Sequence, residues 1–376
     1  MTKKTEPGYS TPTTMRDTFF AGTKTRLSFS PSAPRLFPRA QESLAWGPVT
    51  HRSPAFEALC GQTLSRLGQL LGSTHLLPAV TAGSGTLAND LMLSFMTTEC
   101  RCPLVLSNGE FGRRLHLQCK RHFVKCHLLD VGWGGALTRD NVRAAIEKHA
   151  PDGLLFTAVE TSTGMVNPLE ELAALAEELH LVVGIDSVSA LGNVHHEYSR
   201  QSISCVSSTS GKALAALAGV AIVFMRDKRH TGSMNESQPV SLDAIDLLQG
   251  QQSPGKVRNT LSSTLLATLH ESLEHMFSNG LESHFTHNQL LKKAVLRHAQ
   301  EAGFEIFSGG DSPCVTTLKI PSGCDWQGMM SQLEDAGFEI YHNTPYLADE
   351  NVFQVATFGD FTVDDVKALF SALACG

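Results

Sequence analysis

The sequence contains no hydrophobic run long enough to cross a lipid bilayer as a helix. The longest such run, residues 213–225, is diluted by alanine and glycine and falls short of the roughly 18–20 residues that a bilayer requires. An excess of positive charge is also absent, because 30 Lys and Arg stand against 37 Asp and Glu, which gives a formal net charge of −7. Binding to nucleic acid or to anionic membranes requires clustered positive charge, so we expect neither.

The nine cysteines are scattered along the chain and form neither a CxxC pair nor a Cys/His spacing typical of a metal site. This pattern is typical of reduced thiols in a cytoplasmic protein, and we expect no bound metal. The N-terminal stretch 1–20 lacks the apolar core of a secretory signal and the acid-free, Arg-rich character of a transit peptide. We therefore expect residues 1–25 to form a loose tail.

What the sequence does contain is enough apolar residues, 42%, to build a core for one large domain and a smaller one. Short apolar runs alternate with amphipathic helical stretches in the first two thirds of the chain. The runs that predict strands are 104–106, 124–129, 154–159, 181–185, 203–206 and 220–224. Such alternation predicts an α/β fold with a mostly parallel sheet covered by helices on both faces.

The pattern changes after about residue 273. A long helix is predicted at 281–302, with short strands near 316–320 and 338–341 and helices near 326–336 and 363–375. We therefore predict a large domain over 26–272 and a smaller C-terminal α/β domain over 273–376, which the N-terminal segment is a candidate to complete.

Polar side chains follow three of the predicted strands, where ligands bind in open parallel sheets. Glu160, Asp186 and Lys212 are evenly spaced in polar segments that follow successive strands, and a Gly-Ser-Gly-Thr turn at 83–86 precedes a helix and can offer N–H groups to an anion. Each feature is weak alone. Together, an amine, a carboxylate and an anion cradle match the needs of pyridoxal phosphate (PLP), an aldehyde cofactor with a pyridine nitrogen and a phosphate.

A set of short motifs, taken in their order along the chain, resembles that of a known enzyme family. The motifs are HRSP at 51–54, TAGSGTLAN at 81–89, SNGEFG at 107–112, ETSTG at 160–164, DSV at 186–188, SGKAL at 210–214, NTLSS at 259–263 and FGD at 358–360. The chain resembles class V aminotransferases of the fold-type I PLP enzymes, in the branch of alanine–glyoxylate, serine–glyoxylate and 2-aminoethylphosphonate–pyruvate aminotransferases. The resemblance implies transfer of an amino group from a small amine or amino acid, aminophosphonates included, to a 2-oxo acid such as pyruvate or glyoxylate.

The resemblance also implies roles for individual residues. Lys212 would form the Schiff base with the cofactor and move the substrate proton, while Asp186 would pair with the pyridine nitrogen. Phe111 would stack on one face of the ring and Val188 would pack against the other. The plainer interpretation of Phe111 is an ordinary core residue.

Further implied contacts concern the edges of the cofactor. Ser162 would hydrogen-bond the ring 3′-oxygen, and Thr260 would reach the phosphate from a second subunit, which makes a homodimer the expected working unit. Gly211 stands where some relatives carry a glutamine on the phosphate. The residues implied to hold the phosphate within the subunit are Ser84, Gly85, Thr86 and Ser210.

The sequence departs from the family where the substrate acid group is usually bound. Gln354 stands where an arginine is expected, and an amide cannot make the charged two-pronged contact of a guanidinium with a carboxylate. Either another cation, with Arg258 and Arg26 as candidates, binds the carboxylate, or the amine substrate lacks one. Ser32, in an altered entry segment, is a further candidate for substrate binding.

Three other functions compete with transamination. A PLP-dependent lyase acting on a small amino compound would use the same lysine and carboxylate. A nucleotide-binding dehydrogenase would need a complete GxGxxG turn and an acid ending the next strand, but the strand at 104–106 ends in Ser107 and Asn108. A non-catalytic binding protein would have no need of Lys212 and Asp186.

Overall fold

Short strands alternate with helices through the residues that this computed structural model describes, which are 26–229, 238–251, 255–278, 280–307 and 309–373. In those residues the strands are, in chain order, β1 (Leu27–Phe29), β2 (Leu76–Ala82), β3 (Pro103–Ser107), β4 (His127–Asp130), β5 (Gly153–Thr157), β6 (Val159–Glu160), β7 (Met165–Val166), β8 (Val182–Asp186), β9 (Ile203–Thr209), β10 (Val220–Arg226), β11 (Val315–Lys319), β12 (Phe338–Ile340) and β13 (Val352–Ala356).

The α-helices of the same ranges are α1 (Pro38–Glu42), α2 (Pro54–Leu71), α3 (Gly85–Met96), α4 (Glu110–His122), α5 (Arg139–His149), α6 (Leu169–Glu178), α7 (Ala244–Gly250), α8 (Ser263–Ser278), α9 (Leu281–Glu301), α10 (Trp326–Asp335), α11 (Pro345–Asp349) and α12 (Val363–Leu373). Among these described segments, none combines the length and the apolar character that a membrane span needs. The predicted tail 1–25 lies outside the described residues.

The central sheet has seven strands in the order β2-β10-β9-β8-β5-β3-β4. Its strands are parallel except for β10, which runs antiparallel to both β2 and β9. The prediction of a mostly parallel α/β sheet is therefore confirmed. The reversed direction of β10 could not be predicted, because a strand buried on both faces has the same apolar composition in either direction.

Helices cover both faces of this sheet, and each face has its own apolar core. Helices α2, α5, α6 and α8 pack on one face, and α3, α4 and α7 pack on the other. Local sequence defines several helix starts: the Ser53 hydroxyl accepts the N–H of Phe56 at the start of α2, and Thr138 forms a reciprocal capping box with Asn141 in α5. Because helices cover both faces, the ends of the strands are the part of the sheet that can form a cavity.

The C-terminal part of the chain has a separate core, built by α9, α10 and α12 against β11, β13 and β12. β1 pairs with β12 in parallel, so the N-terminal strand belongs to this smaller unit. The predicted boundary after residue 272 falls inside α8, which packs on α2 of the large unit. We therefore propose Gly280, between α8 and α9, as the division between the two domains.

Candidate active site

A cavity of about 470 Å³ opens at the carboxyl ends of the central strands, and both Lys212 and Asp186 line it. Asp186 is the last residue of β8, and Lys212 follows the end of β9, its parallel neighbour in the sheet. Parallel strands that lie side by side end at the same edge of the sheet, which is why residues far apart in sequence meet here.

Asp186 is buried, with 7% of its surface exposed, and both carboxylate oxygens accept hydrogen bonds. Oδ1 accepts the N–H of Val188 at 3.0 Å, and Oδ2 accepts Nδ2 of Asn89 at 2.7 Å. The Asn89 carbonyl in turn accepts the Ser207 hydroxyl at 2.5 Å. Burial raises the pKa of Asp186, whereas these donors and the charge of Lys212 lower it. A buried carboxylate held in this way favours a cationic partner in the cavity.

Lys212 lies among hydroxyls and beside an aromatic ring. Its Nζ is 3.3 Å from the Ser189 hydroxyl oxygen, 3.5 Å from that of Thr161 and 4.5 Å from the centroid of the Phe111 ring. Removal from water lowers the pKa of this amine, and the nearby carboxylate of Asp186 acts in the opposite direction. A lowered pKa increases the neutral fraction of the amine, which is the nucleophilic form.

The turn from β2 into α3 brings Ser84, Gly85 and Thr86 into the cavity wall. Amide groups at the start of a helix are unpaired and the helix dipole is positive there, so this turn is suited to a phosphate. Gly85 allows the backbone to come close to Val188, because a Cβ at position 85 would lie 3.0 Å from a Val188 methyl. The three predicted cradle residues therefore share one wall with Lys212 and Asp186.

Phe111 and Val188 both line the cavity, and a buried carboxylate fixes the position of Phe111. Glu160 accepts the N–H of Phe111 at 3.2 Å and that of Gly112 at 2.9 Å, at the first turn of α4. A Cβ on Gly109 would lie 2.6 Å from Cγ of Glu160, so only glycine permits this close approach. Glu160 thus caps the helix that presents Phe111.

Two predicted cofactor contacts lie behind the wall instead of in it. The Ser162 hydroxyl donates to the Glu160 carboxylate, and the Ser210 hydroxyl donates to the Leu217 carbonyl at 2.6 Å. Both serines are fully buried, and their neighbours Thr161 and Thr209 line the cavity. Residues 161–164 form the turn between β6 and β7, and Ser210 directly follows the last residue of β9. In each pair the threonine faces the cavity and the serine faces the interior.

The loop before Lys212 explains why a glycine stands at position 211. A Cβ on Gly211 would lie 2.6 Å from Cα of Ala218, so a glutamine at this position would collide with the backbone of the same loop. The loop therefore has no space for a glutamine side chain at position 211.

The two arginines proposed to replace the missing substrate arginine are engaged elsewhere. Nε of Arg258 is 2.7 Å from a carboxylate oxygen of Asp246, and Arg26 pairs with Glu334 at 2.9 Å. Both side chains lie outside the cavity wall of this subunit. The structure does not bring either of them to Lys212.

Gln354 is fully buried in β13 and ties this strand to the segment after β6. Its Nε2 donates to the carbonyls of Thr161 and Ser162 at 2.6 and 3.0 Å and to the Thr317 hydroxyl at 2.9 Å. Because all of these acceptors belong to the protein and the side chain lies behind the wall, Gln354 has a structural position and does not face the substrate space.

The remaining two candidates differ in position. Ser32 lines the cavity, as expected for a substrate contact. Thr260 is exposed and lies outside the cavity wall of its own subunit, a position that permits contact with a second subunit.

Sequence reasoning assigned no role to several residues that the structure places in the wall. Asn89, in α3, orients Asp186. On α4, Arg114, Leu117, Gln118 and Arg121 join Phe111 in lining the cavity. The sequence contained a signal for these α4 residues, because positions 111, 114, 118 and 121 have the helical spacing that places side chains on one face.

The dehydrogenase alternative conflicts with the position of the glycine-rich turn. That turn follows β2, which lies at the edge of the sheet and pairs antiparallel with β10. A dinucleotide fold requires the turn after a central parallel strand of a βαβ unit. The turn at 83–86 therefore does not have the position that a dinucleotide site requires.

A lysine and a buried carboxylate in one cavity, next to a helix start that suits a phosphate, are the arrangement that PLP-dependent enzymes require. The family comparison agrees with this class: the model described as "Aminotransferase class-V" matches residues 114–341, which include both Asp186 and Lys212. The chain belongs to the class-V aminotransferase family.

Individual relatives share about a quarter of their residues with this chain. Alanine–glyoxylate aminotransferase of Mus musculus is 26% identical over 320 residues, covering 83% of this chain and 77% of the relative. The 2-aminoethylphosphonate–pyruvate transaminase of Vibrio vulnificus is 24% identical over 298 residues, covering 77% of this chain and 81% of the relative. Among solved structures, alanine–glyoxylate aminotransferase from Nostoc sp. superimposes with a TM-score of 0.85 at 24% identity, over 94% of this chain and 95% of the other. The predicted fold type is therefore confirmed.

Proposed function

We propose that this class-V aminotransferase uses PLP to transfer an amino group from a small amine or amino acid to a 2-oxo acid such as pyruvate or glyoxylate. The observation that carries the proposal is the meeting of Lys212, Asp186 and the 84–86 turn in one cavity. The names of the alanine–glyoxylate and 2-aminoethylphosphonate–pyruvate relatives support small donors and 2-oxo acid acceptors.

The residues of the cavity fit this cofactor. When bound, PLP supplies an aldehyde that reacts with amines and a cationic ring that withdraws electrons from the substrate Cα. Nζ of Lys212 would hold the cofactor covalently until the substrate amine replaces it, and would then carry a proton to and from the substrate. Asp186 would accept the N–H of the ring nitrogen and so keep that nitrogen protonated.

Other residues would orient the cofactor. The amides and hydroxyls of Ser84, Gly85 and Thr86 would bind the phosphate, and Phe111 and Val188 would hold the two faces of the ring. The hydroxyl of Thr161, which lies in the cavity wall, replaces Ser162 in our proposal as the contact to the 3′-oxygen.

We also propose a homodimer with a shared site. Leu44, Trp46 and Val49 are large apolar residues close together in sequence, each with 42–50% of its surface exposed, and we refer to them as the apolar patch. The patch adjoins the start of α8, because the Val49 N–H donates to the Ser263 hydroxyl, three residues after Thr260. An exposed apolar patch is typical of an interface, and a partner covering it would bring Thr260 close to a second cavity. A cytoplasmic location remains our expectation from the cysteine pattern.

Reduction with borohydride tests the cofactor assignment directly. The holoenzyme should show a visible absorbance band that borohydride removes, and mass spectrometry of the digest should find the reduced cofactor on Lys212. Lys212→Ala should lack this label and lose transamination between alanine and glyoxylate, whereas Lys120→Ala, on the surface of α4, should keep both. A label on another lysine would contradict the proposal. One equivalent of 2-oxo acid per subunit is expected from the donor alone, because the cofactor takes up the amino group, whereas continued 2-oxo acid formation without an acceptor would indicate a lyase.

A further inference from the structure

A cation in the cavity would bind the carboxylate of a 2-oxo acid, and the structure limits which basic residues of a subunit can do so. Gln354 is bound to protein carbonyls, and Arg258 and Arg26 pair with carboxylates outside the wall. Among the described residues that line the cavity, the basic ones are Lys212, Arg114 and Arg121. Because Lys212 is assigned to the cofactor, the two arginines of α4 are the cations that a subunit itself supplies to its cavity wall.

The two arginines lie toward different ends of the cavity. Gln118, between them on the same helix face, donates from Nε2 to the Thr86 carbonyl at 3.0 Å and so marks the phosphate end. Arg121 lies beyond Gln118, away from Phe111. Arg114 lies one turn from Phe111, whose ring also contacts Nζ of Lys212. Arg114 is therefore the arginine near the reacting end.

The guanidinium of Arg114 is oriented by three neighbours. Its Cζ lies 5.2 Å from the Phe111 ring centroid and 5.9 Å from that of Tyr346, and its Nε is 2.6 Å from Oε1 of Glu110. Attachment through Nε leaves the Nη1/Nη2 edge of the guanidinium for another carboxylate. The side chain is 54% exposed, so an entering substrate can reach it.

We propose that Arg114 binds the α-carboxylate of the 2-oxo acid acceptor and of an amino acid donor, in place of the arginine expected at position 354. Two parallel N–H···O bonds from the Nη edge would orient the substrate beside Lys212. This inference rests on the proposed function, since it assigns the substrate contact of the same cavity.

The test compares Arg114→Gln with Arg114→Lys and with Arg113→Gln. Arg113 is the adjacent arginine and pairs with Asp130 at 2.8 Å on the surface, which makes it a matched control. Arg114→Gln should raise the KM for pyruvate by about 10- to 100-fold, the cost of a lost charged hydrogen-bond pair, with a smaller effect on kcat. Arg114→Lys should recover part of the loss, and Arg113→Gln should match the unmodified enzyme.

A binding measurement separates this inference from the proposed function. Propionate has a carboxylate but cannot react, and its dissociation constant from the holoenzyme can be measured by calorimetry. Arg114→Gln should weaken propionate binding by a similar factor while PLP affinity, measured by absorbance titration, stays within about twofold. Unchanged propionate binding would overturn the role of Arg114, even if transamination is intact.

The Arg121→Gln variant tests whether the other arginine of α4 binds the carboxylate instead. This variant should leave propionate binding unchanged, because position 121 lies toward the phosphate end. Loss of propionate binding in Arg121→Gln but not in Arg114→Gln would also overturn the proposal. An enzyme that binds propionate through Arg114 but transfers no amino group would instead contradict the proposed function.

Discussion

The central charge interaction of the site is between the buried carboxylate of Asp186 and the partly buried amine of Lys212. Burial alone would neutralise both groups, because it raises the pKa of Asp186 and lowers that of Lys212. The charge of each group offsets part of this effect on the other. A bound cofactor with a cationic ring nitrogen would become the partner of Asp186 and allow Lys212 to be neutral.

Replacing Asp186 tests this account at the residue scale. We expect Asp186→Ala to lower kcat/KM by roughly 100- to 1,000-fold, as for the loss of one well-placed electrostatic contact in a buried site. Steady-state kinetics on the holoenzyme measures the effect. A cofactor methylated at the ring nitrogen carries a permanent charge and should restore part of the activity in this variant. Absence of any loss on replacing Asp186 would refute its role.

At the scale of single elements, helix α4 supplies one side of the site. Its first turn presents Phe111, and its inner face continues through Arg114 and Gln118. The start of the helix is held by Glu160, a fully buried carboxylate that accepts the N–H groups of Phe111 and Gly112. Burial raises the pKa of Glu160, and the donors around it lower that pKa. The position of α4 thus depends on one acid from a different part of the chain.

Glu160→Gln tests this cap with almost no change of shape. The amide can replace Oε1, but its NH2 group then faces the N–H of Gly112, which leaves donors without an acceptor. We expect a loss of about 1–3 kcal/mol in the free energy of unfolding, measured with urea on the apoenzyme. Glu282→Gln, at an exposed acid in the first turn of α9, is the control and should change stability by less than about 0.5 kcal/mol. Equal stability of the two variants would show that the cap is unimportant.

At the scale of the whole molecule, a shared dimer site can be tested by mixing inactive subunits. Thr260→Asp should place a negative charge against the phosphate and weaken cofactor binding, and Lys212→Ala removes the amine. In a mixed dimer, one cavity would receive both defects and the other would have an intact Lys212 and an intact Thr260 from its partner.

Unfolding and refolding the two variants together should therefore restore up to roughly half the activity of a normal dimer in each mixed dimer. Activity assays after separating tagged mixed dimers measure this. If Thr260 acts within its own subunit, the mixture should stay inactive, as each variant is alone.

The amino-acid sequence by itself determined the elements and the type of chemistry. Apolar periodicity located the strands that end at Asp186 and before Lys212, and the glycine-rich turn before α3 predicted an anion site that we retain as a proposal. These signals are local, since periodicity, helix starts and turn glycines depend on residues that are close in sequence.

Tertiary structure alone decided which side chains face the cavity. It placed Thr161 in the wall instead of Ser162, turned Gln354 toward protein carbonyls, and placed the Arg114 guanidinium in the wall beside the Phe111 ring. These outcomes depend on strand direction, on the conformation of the turn between β6 and β7, and on contacts such as that between Glu160 and α4, which join residues 48 or more positions apart. No local pattern encodes such contacts, because they form only when distant segments pack together.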